Sequence, residues 1–98
     1  MFVKIHNTYR DIIAICDSNL IGRKFEQGKF QLDCKESFYK GERCEAKKVK
    51  EIIKKMSEED ATFNIIGKKS VNCALKTGII TKEGIKKIQN VPFALVLL

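Results

Sequence analysis

The chain has 98 residues, 44% apolar and 32% charged, with a single proline. That length and composition describe one folded domain, 1–98, and exclude extended disorder. The longest apolar stretch, 91–98, falls far short of the roughly 20 residues a spanning helix needs, so no membrane partner is expected. Nineteen Lys and Arg against twelve Asp and Glu give +7, a balance that fits a polyanionic partner and fits a plain lysine-solvated surface too.

Residues 2–7 alternate, Val3 and Ile5 against Phe2, Lys4 and His6, which predicts a strand. Residues 7–10 read as a turn. The unbroken apolar run 12–16 predicts a central strand covered on both faces, paired with the first as an antiparallel hairpin. Residues 17–22 are polar and close on glycine, with Asp17 or Ser18 placed to cap one helical turn. Arg23, Lys24, Phe25 and Gly28 lead into a third strand, where Phe30, Leu32 and Cys34 alternate with polar neighbours. Residues 36–44 read as an irregular, partly packed loop.

The clearest helix covers 45–58, because Val49, Ile52, Ile53 and Met56 share one stripe while lysines fill the rest of the cylinder. A second runs from Lys68 to Thr77, with Val71, Ala74 and Leu75 on its apolar face and Gly78 ending it. Residues 81–84 form a turn, and 85–88 are ambiguous between a helical turn and a strand. The run 91–98 predicts a terminal strand, with Pro92 suited to a strand's first residues or an edge. Strands first and helices later give an α+β fold, a mainly antiparallel sheet of four to five strands with two helices.

Chemistry-bearing residues are sparse. Cys16, Cys34, Cys44 and Cys73 make no Cys-x-x-Cys pair, so no metal is expected, and the scattered thiols fit a reduced cytoplasmic protein. His6 is the sole imidazole. With Cys16 or Cys34 it could form a nucleophile pair, but such a pair would sit mid-strand with no orienting residue; an enzyme built on Cys16, Asp17 and His6 ranks last. No carboxylate pair is placed by spacing for acid–base hydrolysis. Glycine-rich phosphate loops are absent, and no cofactor is expected.

Two basic features remain. Gly67 stands before the second helix, and Lys68 and Lys69 occupy its first turn, where the dipole favours anions; with Ser70 they suggest a phosphate site. Lys47, Lys50 and Lys54 on the first helix would grip further phosphates, with Arg23 and Lys24 as outer contacts. Tyr9, Phe38 and Tyr39 would stack on bases if exposed, although aromatics at such spacings commonly serve the core. RNA is the expected polyanion. The alternative is a protein-interaction or structural subunit, in which 91–98, as an exposed edge, pairs with a partner or with a second copy.

Met1-Phe2-Val3-Lys4, Cys16-Asp17, Leu20, Gly22, Phe25, Phe38-Tyr39 and Gly41, then Asn64-x-x-Gly67-x-x-Ser70, Ala74, Gly78 and Val91-Pro92-x-Ala94, together resemble a small archaeal family, domain of unknown function 424. The resemblance spans essentially the whole chain. It implies a cytosolic α+β domain without established catalytic residues. The family pattern is expected to place a histidine after Val-Pro, where this chain has Phe93, which further weakens an enzymatic reading. The lysine-rich middle also departs from that pattern.

Overall fold

Ile12, Ile13 and Ile15 make a β-branched run, which suits an extended backbone packed on both sides. In the computed structural model, which describes residues 1–97, it forms β2 (Ile12–Cys16), antiparallel to β1 (Phe2–His6) with Phe2 opposite Cys16 and His6 opposite Ile12. A short 3-10 turn, Ser18–Leu20, follows. Next comes a hairpin of β3 (Lys24–Gln27) and β4 (Phe30–Asp33), which forms its own two-stranded sheet. The stretch expected as loop holds α1 (Glu36–Tyr39) and the two-residue strand β5 (Glu42–Arg43) on the outer side of β1. Then come α2 (Ala46–Ser57), β6 (Thr62–Ile66) and α3 (Lys68–Thr77). A 3-10 turn at Lys82–Gly84 precedes β7 (Lys86–Ile88) and β8 (Val91–Val96).

The main sheet runs β5-β1-β2-β6-β8-β7. All its neighbours are antiparallel except β2 and β6, which are parallel. The fold is therefore α+β as expected, but with six strands in the main sheet rather than four to five, plus the separate hairpin. Besides the two-residue β5, the main-sheet strand not expected from the sequence was β6. It sits at the middle of the sheet, where Phe63 and Ile65 face one side and Ile66 the other.

Strand alternation divides the core into two. On one side Val3, Ile13, Ile15, Phe63 and Ile65 meet Val49, Ile53 and Met56 of α2 and Val71, Cys73 and Ala74 of α3. On the other, Ala14, Cys16 and Ile66 meet Leu20, Phe25, Leu32, Cys34 and Tyr39 from the turn, the hairpin and α1. Each fully buried large side chain, such as Phe63 or Ile53, contributes roughly 1.5–3 kcal/mol. Phe30, expected on the buried side of its strand, is 72% exposed instead; it adjoins the β3–β4 turn, where residues 26–31 are all exposed.

Gly41 explains how the α1–β5 segment lies so close to β1: a Cβ there would stand 2.2 Å from the Val3 carbonyl oxygen. Among the described residues, no helix is long and apolar enough to cross a membrane.

Candidate functional site

The two long helices share an orientation. Helix α2 starts just after Cys44, whose amide donates to the Met1 carbonyl at 2.8 Å, beside the Phe2 end of β1. Helix α3 starts just after Ile66, which pairs with Cys16 at the same end of the sheet. Both N-termini therefore lie at one edge, and the helices pack side by side on one face.

Charge follows this layout. Helices α2 and α3 carry eight of the nineteen basic side chains and one acid, Glu51. The whole +7 thus sits on these two elements, and the remainder of the chain holds eleven groups of each sign. Charge from both helices, Lys50 on α2 and Lys76 on α3, reaches the Cys73 thiol of α3. Burial raises that thiol above its ordinary value, and the two lysines pull it partly back. Lys54, Lys68 and Lys69 are exposed on the same two helices. Lys76 went unremarked in the sequence, although it lies two turns after Lys69 on α3.

Other expected contacts fall elsewhere. Lys47 lines a shallow hollow with Glu42, Glu45 and Glu51, so acids interleave with it. Arg23 and Lys24 belong to the hairpin side, across the sheet from α2 and α3, and the Arg23 guanidinium lies 4.9 Å from the Phe25 ring centre. Of the aromatics, Tyr9 is fully exposed, Tyr39 is buried, and Phe38 stacks on His6 at 4.5 Å.

The start of α3 is occupied from within. Asp17, buried at the end of β2, accepts from the Lys69 amide at 3.0 Å, the Ser70 amide at 2.8 Å and the Ser70 hydroxyl at 2.7 Å. It is a helix cap supplied by a distant carboxylate, and it satisfies donors that an external phosphate would otherwise use. Asp17 does not cap its own turn, since no side-chain bond closes Ser18–Leu20. Gly67, at φ 109°, makes the close approach possible: a Cβ there would lie 2.3 Å from the Asp17 carboxyl carbon. Gly67 and Ser70 thus serve the internal cap, while Lys68 and Lys69 extend their side chains outward.

Above this clamp lies a cleft of about 440 Å³, at the carboxyl ends of the parallel strands β2 and β6. Its polar lining includes Asn19, Lys68, Lys69 and Asn90, and its apolar lining includes Leu20 and Pro92. Crevices at the carboxyl ends of parallel strands are the usual ligand position in α/β sheets. Asn19 and Asn90 were not singled out in the sequence; each is a turn residue there, and only the fold brings them to one opening.

The Cys–His arrangement does not form. Cys16 and His6 lie at opposite ends of the β1–β2 pair, and His6 shares its Nε2 with the Phe38 carbonyl at 2.8 Å. Cys16 meets Cys34 instead. That contact and burial push the Cys16 thiol up, and the same contact pulls Cys34 down. Both are fully buried. Among the described residues, no group of three or more His, Cys, Asp or Glu is arranged to hold a metal ion.

The curated proteins include no match to this chain. Among solved structures, an uncharacterized conserved protein from Methanopyrus kandleri is similar, with a TM-score of 0.83 and 23% identity over 98% of this chain and 90% of that one. At that identity the likeness is one of fold. A family model matches residues 5–98, and by that match the chain belongs to the family described as protein of unknown function (DUF424).

Proposed function

We propose that the protein binds a polyanion, RNA, on the face formed by α2 and α3. The observation that carries this reading is the placement of the entire net charge on two adjacent helices, with Lys50 of one and Lys76 of the other both acting on the Cys73 thiol of α3. Lysines scattered for solubility alone have no reason to leave the rest of the chain neutral. Lys50, Lys54, Lys69 and Lys76 are the principal phosphate contacts in this reading. Lys47 is secondary because of its acidic neighbours, and Arg23 and Lys24 face away. The start of α3 contributes through lysine side chains, since its Lys69 and Ser70 amides are taken by Asp17.

Fluorescence anisotropy with a single-stranded RNA over a salt series tests this. Four such contacts predict a log–log slope of about −3. The combined variant Lys50→Glu, Lys54→Glu, Lys76→Glu is expected to lose binding by about a hundredfold or more. Failure to bind at low salt, or a slope near zero, overturns the proposal.

The alternative partner surface, the C-terminal strand, loses part of its premise. Strand β8 pairs with β6 over Phe93–Val96 and with β7 over Val91–Phe93, so the edge left open is shortened to residues 94–96. Residue 98 of the expected strand lies outside the described residues.

A further inference from the structure

The cleft at the carboxyl ends of β2 and β6 shares Lys69 with the phosphate-gripping helix face, but the rest of its lining has no part in that reading. At about 440 Å³ it falls within the roughly 300–1,000 Å³ typical of small-molecule sites. Its walls differ in chemistry. Leu20 and Pro92, both buried and reaching the cleft only with a small part of their surface, give it an apolar floor. Asn19 and Asn90 are exposed and each carries an amide with both donor and acceptor, the complement of a base edge. Lys68 and Lys69 put two exposed cations on the rim. Asp17, the acid in the lining, is committed to the α3 cap, so the opening keeps a net positive character.

The walls are held in place before any ligand arrives. Asp17 ties the 17–20 segment to α3 through three hydrogen bonds. Gln89 and Asn90 both have positive φ, 50° and 65°, in the turn between β7 and β8. Side chains carry that conformation at a cost, and here the hairpin supports it: the Gln89 amide donates to Gln27 Oε1 at 2.9 Å, and Gln89 Nε2 donates to the Glu26 carbonyl at 2.7 Å. A site fixed in this way loses little entropy on binding.

We infer that this cleft binds a nucleoside monophosphate, with the base resting on Leu20 and Pro92, its edge on Asn19 and Asn90, and the phosphate on Lys68 and Lys69. The chemistry is shared by a free mononucleotide and by the phosphorylated end of a strand. Only the second source rests on the RNA reading above.

Amide NMR spectra of the full chain, titrated with each of the four nucleoside 5′-monophosphates and separately with inorganic phosphate, decide the matter. At least one nucleotide is expected to shift the Asn19, Lys68, Lys69 and Asn90 amides saturably, at least about tenfold more tightly than phosphate. Lys68→Gln with Lys69→Gln is expected to weaken it about 10- to 100-fold. Asn90→Gly, which suits the positive φ and keeps the fold, is expected to weaken it while leaving phosphate binding unchanged. The Lys50→Glu, Lys54→Glu, Lys76→Glu variant is expected to retain nucleotide binding, so failure of the RNA reading and failure of this one are separable. Displacement by a 5′-phosphorylated oligonucleotide but not by its 5′-hydroxyl counterpart identifies a strand end, and displacement by neither identifies the free nucleotide. Equal affinity for nucleotide and phosphate, or no saturable shift at about 10 mM nucleotide, overturns the inference.

Discussion

Asp17 is the residue on which both the fold and the cleft turn. A carboxylate at a helix start normally comes from the preceding residue; here it comes from a strand end 53 positions before Ser70. Removing it leaves the Lys69 and Ser70 amides in a buried junction without their acceptor. Asp17→Ala is therefore expected to cost about 2–4 kcal/mol, read as a lower urea midpoint with unchanged slope, and Asp17→Asn about 1–2 kcal/mol. Gly67→Ala attacks the same contact from the other side, by strain and overlap, and is expected to cost about 2–4 kcal/mol. A midpoint unmoved in both Asp17→Ala and Gly67→Ala would mean that the clamp contributes nothing. Buried acids of a different kind set the alkaline limit. Burial raises Tyr39 well above its ordinary value of 10, with the nearby Cys34 and Cys16 adding to the effect, and burial raises Cys44 and Cys73. The folded chain thus holds protons that the unfolded chain releases first. Stability is expected to be intact below about pH 9 and to fall as pH rises beyond it, and Tyr39→Phe should flatten the part of the fall above about pH 10. Urea midpoints taken across pH 7–11 check this, and an identical alkaline limb in Tyr39→Phe would remove Tyr39 from the account.

At the scale of elements, legibility tracked how locally each one is determined. Helix α3 was readable in position and extent, because its stripe and its Gly78 stop lie within a dozen positions. Helix α2 was readable for the same reason. Strand β6 was not, although Thr62, Phe63, Asn64 and Ile65 alternate. Five residues between a helix end and a glycine carry little periodic signal, and its identity comes from β2 and β8, which arrive from distant parts of the chain. The same holds for α1 and β5, which are too short to show a period. The site divides likewise. The lysines and the Gly67 helix start were legible, whereas Asp17 as the cap and the meeting of Asn19 with Asn90 needed the folded chain. This layout has a dynamic consequence. Strands β2 and β6 are covered on both faces and flanked on both edges, while β5 and the hairpin lie outside. Hydrogen exchange is expected to be slowest in β2 and β6, approaching the global unfolding free energy, and to be fast in β5 and in β3–β4. Fast exchange in β6 would contradict its central role.

For the whole molecule, the question is whether charge acts through its amount or its position. Two variants of equal net charge separate these. Reversing Lys50, Lys54 and Lys76 takes charge from the α2–α3 face; reversing Lys24, Lys29 and Lys35 takes the same amount from the hairpin side of the sheet. Each change lowers the net charge from +7 to +1. Long-range attraction depends on total charge and is screened within about 8 Å at physiological salt, so it would weaken both variants alike at low salt and neither at high salt. Phosphates docked on particular side chains respond differently. The α2–α3 variant is expected to lose both affinity and salt slope, by about two units of slope, while the hairpin variant keeps its slope and loses less than about threefold in affinity. Isothermal titration with one RNA at several salt concentrations reads both quantities. Matching losses in the two variants would reduce the basic face to a non-specific field, and a larger loss in the hairpin variant would move the binding surface to the other side of the sheet.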